Sequence, residues 1–211
     1  MSYSANEIGS LFRKAGIGAG LSSGIAVDIS RAGLWLLVHD LAGDEAVLEG
    51  ISSIEPHGSM ERTDSQNILI DPVCAVLDGL SVFDLAAAST KIFHARLQKI
   101  DNPLLLLGIA GIAATDYQLR ITLEFSNKSS FTIGADGSMT NDSSVPVRGA
   151  DAVLTCQQVE LDPGKNPKAS STVGVKDDAL NKLLAFAAKT YVPATAASRE
   201  KGAGAGLTDN D

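Results

Sequence analysis

Aromatic side chains make up only 5% of this 211-residue chain, and tryptophan occurs once. A core short of large rings has to be filled by Leu, Ile, Val and Ala, which pack finely but supply few rigid anchors for an interaction hot spot. Cysteine is nearly absent. Cys74 and Cys156 lie far apart in apolar surroundings, which reads as two reduced, buried thiols and not as a disulfide framework. Basic residues are outnumbered, seventeen to twenty-five, giving a net charge of −8 with no basic run or stripe. Such a surface repels phosphate backbones and anionic lipid, which argues against nucleic acid and membrane surface as partners. Long apolar runs are missing as well: the longest uncharged one, Pro103 to Thr115, is well short of the ~20 residues that span a bilayer. The apolar region from Ile68 to Ser89 is broken by Asp71, Asp78 and Asp84, which is costly in lipid. The opening Met1-Ser2-Tyr3-Ser4 lacks the basic stretch and apolar core of a secretory signal. Together with the reduced thiols, this sets the expectation of a cytoplasmic protein.

Catalytic signatures are lacking in the same way. There is no G-x-S-x-G, C-x-x-C, H-E-x-x-H or Walker sequence, and the three histidines do not cluster with cysteines or acids at ligand spacing, so no metal set and no cofactor is nominated. The glycines at Gly16, Gly18, Gly20 and Gly24 follow a helix and miss the G-x-G-x-x-G spacing, so a tight helix–helix turn accounts for them better than a phosphate cradle. His39 closes a helix and His94 sits in a strand. His57, in Glu55-Pro56-His57-Gly58, is the histidine in a loop and the first candidate for chemistry.

What is present points to an α+β fold: an N-terminal helical layer packed with a mainly antiparallel sheet and a C-terminal helix. The helical layer covers residues 1–55. Ser4 and Glu7 form a capping box, Ile8, Leu11, Phe12 and Ala15 make a stripe, and Gly16 is expected to end the first helix. A second helix should run from Ser22 or Ser23 to about His39, its Leu34–Val38 end apolar all round and so buried on all sides. A third opens at Asp44 with Val47, Leu48, Ile51 and Ile54 on one face. Residues 55–66 read as a loop. From Asn67 to Ala88 the pattern allows a short strand followed by a helix or irregular structure, because Pro72 and Gly79 interrupt it. Residues 66–192 then form the sheet region of the same unit. Ile92–Ile100 alternates as a half-buried strand, Leu104–Ala114 is a continuous apolar run expected as a central strand, and Tyr117–Phe125 is the clearest strand of all. Ser126-Asn127-Lys128-Ser129 turns into Phe131-Thr132-Ile133 as a hairpin, with further strands at 152–161 and 172–175. A last helix, 177–191, should cover one face of the sheet, with Leu180, Leu183, Leu184, Ala187 and Tyr191 as its apolar stripe.

Residues 193–211 form a Gly-rich C-terminal arm almost without large apolar groups. Composition alone makes it a solvated tail. The alternative is an ordered, docked arm anchored by Leu207, with Gly202, Gly204 and Gly206 allowing close approach and Ser198, Arg199, Asp209 and Asp211 offering polar groups to a ligand or partner.

Two stretches carry a resemblance. Asn6-Glu7-Ile8 through Lys14-Ala15-Gly16, Gly18-Ala19-Gly20-Leu21, Gly24-Ile25-Ala26 and Arg31-Ala32-Gly33-Leu34-Trp35-Leu36 form one; Thr190-Tyr191-Val192-Pro193-Ala194-Thr195 through Ser198-Arg199 and Gly202 through Asp211 form the other. Both resemble an uncharacterised bacterial family, domain of unknown function 3726. Its pattern places a Trp where this chain has Ser23. The resemblance implies a bacterial source, a cytosolic setting and a single-family architecture, and it brings no activity with it.

Two functions follow as expectations. One is a non-catalytic accessory or small-molecule-binding subunit that self-associates, resting on the missing motifs and a mean hydropathy of +0.12. The other is an enzyme whose polar groups come from His57, Asp71, Ser198, Arg199 and the terminal acids. The candidate ligand-binding residues are His57, Ser198, Arg199, Gly202, Gly204, Gly206, Asp209 and Asp211, and no catalytic residue is nominated.

Overall fold

The computed structural model describes residues 2–54, 56–64, 66–141, 144–160 and 170–191. The chain opens with β1 (Ser2–Ser4) and three helices, α1 (Ala5–Gly18), α2 (Ser23–Val38) and α3 (Gly43–Ser52). The Ser4 amide donates to Glu7 Oε2 at 3.2 Å, one half of the expected capping box. Ile8, Phe12 and Ala15 are buried as their spacing requires. Gly16 does not end α1, which runs on to Gly18. A Cβ at Gly16 would stand 3.1 Å from the Ala26 Cβ, so this glycine admits the close approach of α2. The turn is made further on, by Gly20 at φ 101°. The glycine-rich segment is thus a helix–helix connection.

Ser22 caps α2, its hydroxyl accepting from the Ile25 amide at 3.4 Å, and Ser30 Oγ donates to the Gly9 carbonyl at 2.7 Å to bind α2 to α1. At the end of α2 only Leu36 is fully buried. Leu34, Trp35, Leu37 and Val38 are half-buried, because the last turn lies at the margin of the helical layer. Ile54 falls beyond α3 and is exposed.

Residues 55–66 hold a strand, β2 (Ser59–Arg62), and the following segment resolves into β3 (Asn67–Asp71) and α4 (Ala75–Ala87). Gly79 does not interrupt α4. Its bare face lets Ile109 and Leu106 approach. After β4 (Phe93–Ile100) comes the largest departure from expectation: Leu104–Ala114 is no strand but the interior of α5 (Pro103–Tyr117). Asn102 caps α5 by accepting from the Leu105 amide at 2.9 Å, and Pro103 occupies its first turn. Residues 105–114 are all buried, which leaves no amphipathic period to read. Tyr117 ends this helix, so β5 begins at Leu119.

The sheet is completed by β5 (Leu119–Phe125), β6 (Ser130–Ile133), β7 (Met139–Asn141) and β8 (Ala150–Gln158), in the order β2-β3-β4-β8-β5-β6-β7. The expected hairpin is present, with Leu123 opposite Phe131. All neighbours are antiparallel except β3 and β4, which run parallel, Ile70 beside Leu97, and are joined through α4. The fold is α+β with a mainly antiparallel sheet. α4 and α5 pack on one face of it, and α5 is covered in turn by α2 and α3. The other face presents His94, Arg96, Arg120, Thr122, Glu124 and Thr155, none of them buried.

β9 (Thr172–Gly174) pairs with β1 in a separate two-stranded ribbon, and α6 (Asp177–Ala188) follows. α6 packs on α1 and α3 and not on the sheet. A Cβ at Gly18 would land on the Phe186 carbonyl, a measure of how closely α1 and α6 cross. Leu183 and Ala187 point inward, while Leu184 and Tyr191 from the expected stripe stay exposed.

Candidate functional site

Because β3 and β4 are parallel, their carboxyl ends lie side by side, and the helices that follow them start at the same edge of the sheet. The Val73 amide donates to the Gln98 carbonyl and the Asp101 amide to the Val73 carbonyl, each at 3.0 Å. Asp101 Oδ1 accepts from the Ala75 amide at 2.7 Å and so holds the start of α4. Between these segments opens a cleft of about 440 Å³ with an apolar floor of Pro56, Pro72, Val73 and Cys74. Lys99, Asp101, Arg148 and Gly149 form its other wall.

Lys99 reaches this wall through a distorted backbone. The register of β4 against β8 slips between Leu97 and Ile100, and Lys99 itself sits at φ 50°. A side chain in this left-handed region costs about 1–2 kcal/mol, and bulges that re-aim a side chain are common beside sites. The Lys99 amide donates to Asp151 Oδ1 at 2.8 Å, and its ammonium lies 3.0 Å from Asp71 Oδ1. Asp71, named from the sequence, is therefore at the site as the partner of Lys99.

His57 follows Pro56, which lines the cleft, in the chain. Its Nδ1 lies 2.8 Å from Asp78 Oδ1, and the other carboxylate oxygen accepts from the Gly58 amide at 3.1 Å and the Cys74 amide at 2.9 Å. Asp78 is only 3% exposed, whereas the His57 side chain is 66% exposed. A carboxylate only accepts, so the shared proton sits on Nδ1 and leaves Nε2 as the outward lone pair in the neutral ring. Pro56 and Cys74 both line the cleft, one being the chain neighbour of His57 and the other bonded to the same carboxylate.

Residues 3–90 match the family model described as "Protein of unknown function (DUF3726)". The likeness read from Asn6 to Leu36 thus holds over a stretch that includes His57, Asp78 and the apolar floor of the cleft. No curated protein matches the chain. The crystal structure of malate dehydrogenase from Entamoeba histolytica aligns at a TM-score of 0.42 and 9% identity, over 71% of this chain and 49% of that one. The chain spans about half the length of that structure, and a likeness so loose carries no argument about fold or chemistry.

Of the residues singled out in the sequence, His57 and Asp71 come together at this edge. Ser198, Arg199, Gly202, Gly204, Gly206, Leu207, Asp209 and Asp211 lie outside the described residues. His39 bonds through Nδ1 to the Trp35 carbonyl at 2.8 Å and stacks on the Trp35 ring, and His94 meets Thr155 on the open sheet face. Sequence reasoning missed Asp78, Lys99, Asp101 and Arg148. The one available signal was Asp78 four residues after Cys74, the spacing of a carboxylate in the first turn of a helix. Among the described residues, no group of three or more His, Cys, Asp or Glu side chains is placed to hold a metal ion, and no helix is long and apolar enough to cross a membrane.

Cys74 is not a nucleophile here. Burial, reinforced by the Asp101 and Asp78 carboxylates and opposed by the Leu77 amide, pushes its thiol up to about 11, and burial alone takes Cys156 up to about 12. Both thiols should stay unmodified by iodoacetamide at pH 8 and react fully once urea unfolds the chain, read by intact mass. Rapid alkylation of the folded protein would contradict this. The same shifts fix the sign of the alkaline response. Folding holds these protons more tightly, so the thiols add full stability below about 9 and lose it as pH rises toward 11–12.

Proposed function

We propose that the chain binds a small, charge-bearing polar molecule in the cleft beyond the carboxyl ends of β3 and β4. The observation that carries this reading is Lys99, held in a strained bulge and lining an apolar-floored cleft together with Asp101 and Arg148, its ammonium paired with Asp71. Parallel strands that feed helices leave such a crevice at their carboxyl ends, and ligands favour it. Lys99 and Arg148 suit an anionic group, while Asp71 and Asp101 limit how many negative charges the ligand brings.

Self-association is the further part of the proposal, supported by Leu184 and Tyr191 exposed on and after α6. A bacterial cytoplasm is its setting: Cys74 and Cys156 are unpaired and buried, which suits a reducing compartment. With a net charge of −8, nucleic acid is not the partner.

Native mass spectrometry of the freshly purified protein tests the reading by looking for a retained small molecule. Lys99→Gly provides the matched variant. Glycine adopts φ 50° freely, so the variant should be at least as stable as the parent while losing the retained mass. A parent that carries nothing, or a Lys99→Gly protein that carries as much, would reject the cleft as the site.

A further inference from the structure

We infer that His57 is an acid–base catalyst at this cleft and that Asp78 is its positioning residue, so that the bound molecule is a substrate and not only a ligand. The inference rests on the binding reading above and adds chemistry to it.

The geometry is that of an imidazole fixed from behind. Asp78 is buried and takes three hydrogen bonds, from His57 Nδ1, the Gly58 amide and the Cys74 amide. It is thereby anchored to the first turn of α4 and to the loop that carries His57. Through Nδ1 it sets the tautomer and ring orientation, leaving Nε2 to exchange a proton. The ring itself is largely exposed, and its chain neighbour Pro56 lines the cleft. A histidine serving only to close the loop would gain nothing from an exposed ring, since the Gly58 amide already ties this segment to the carboxylate.

The step is a proton transfer. Nε2 takes a proton from the substrate or from a water attacking it, becomes imidazolium against Asp78, and returns that proton to the product or leaving group. No oxidant, metal or second substrate is needed. The substrate class is a small molecule with an anionic group for Lys99 and Arg148 and an ionisable proton, or a carbon open to water, that reaches Nε2. Cys74 is protonated and does not compete as the nucleophile.

The test uses p-nitrophenyl acetate as a probe of the imidazole. Nε2 draws a proton from water as it attacks the acetyl carbon, the C–O bond to p-nitrophenolate breaks, and acetate is released. The parent should exceed equimolar free imidazole by tenfold or more. His57→Asn should lose at least tenfold, while His94→Asn, on the open sheet face, keeps the parent rate. Asp78→Asn should lower the rate and move its pH profile, and the double variant should be no slower than His57→Asn alone, because the two residues act as one unit. A parent rate untouched by His57→Asn, or additive losses in the double variant, would overturn the proposal. The ester needs no retained ligand. Hydrolysis through His57 in a chain that carries no small molecule would therefore sink the binding reading alone, and a chain that carries one but ignores His57→Asn would sink this one alone.

Discussion

Replacing Leu106 by Ala should lower the unfolding free energy by about 2–5 kcal/mol, the cost of a cavity in a well-packed core. Leu106 is fully buried in α5, the helix that lies between the sheet and the N-terminal helices. Its Cδ1 would stand 3.3 Å from a Cβ at Gly79, so α4 already presses against it with a residue that has no side chain to swing into a void. The site therefore collapses poorly, which puts the loss toward the upper part of the range. Leu184 on α6 makes the comparison, being 50% exposed. Leu184→Ala should cost under about 1 kcal/mol, since little apolar surface leaves water there. Urea unfolding with tryptophan fluorescence reads both. Equal midpoints for the two variants would mean that α5 is not the buried spine of the fold.

α5 is also where the sequence was hardest to read. An apolar run covered on every side shows neither the 3.6 nor the 2 period, so a central strand and a central helix look alike. The information was in the flanks: Asn102 followed by Pro103 is a cap and a first-turn proline, and Asn102 is further fixed by donating from Nδ2 to the Ala46 carbonyl at 2.9 Å. Elements with one wet face were legible. Leu119, Ile121, Leu123 and Phe125 alternate inward in β5 as their spacing required, and Ser22 opens α2 where its hydroxyl can cap. The glycines misled in a consistent way. Gly16 and Gly79 were read as punctuation, yet each sits inside a helix where another helix packs tightly against its bare face. For the candidate site, His57 could be named in advance because a loop histidine has few structural duties. Asp78, Lys99, Asp101 and Arg148 could not, because only the β3-α4-β4 crossover and the β4 bulge bring them together.

Gly58→Ala should disconnect that site and destabilise the fold at once. A Cβ at Gly58 would fall on the carbonyl oxygen of Pro72, and backbone cannot swing aside as a flexible side chain does. Pro72 has little room, since the next residue, Val73, is hydrogen-bonded through both its amide and its carbonyl to the end of β4. The loop at 56–58 must therefore retreat instead. In doing so it gives up the Gly58 amide and His57 Nδ1 bonds to Asp78, leaving a buried carboxylate with the Cys74 amide alone. Overpacking of about 1–3 kcal/mol and the loss of hydrogen bonds to a buried charge point to a total of about 2–4 kcal/mol. The melting temperature should fall, and the p-nitrophenyl acetate rate should drop to that of His57→Asn. Gly24→Ala is the control: near the start of α2 a Cβ meets nothing within 4 Å, so stability should hold or rise by up to about 1 kcal/mol from the better helix propensity, with the ester rate unchanged. Should Gly58→Ala melt and react like the parent, the contact between this loop and Pro72 does not hold His57 in place, and the dyad is positioned by something other than the geometry described.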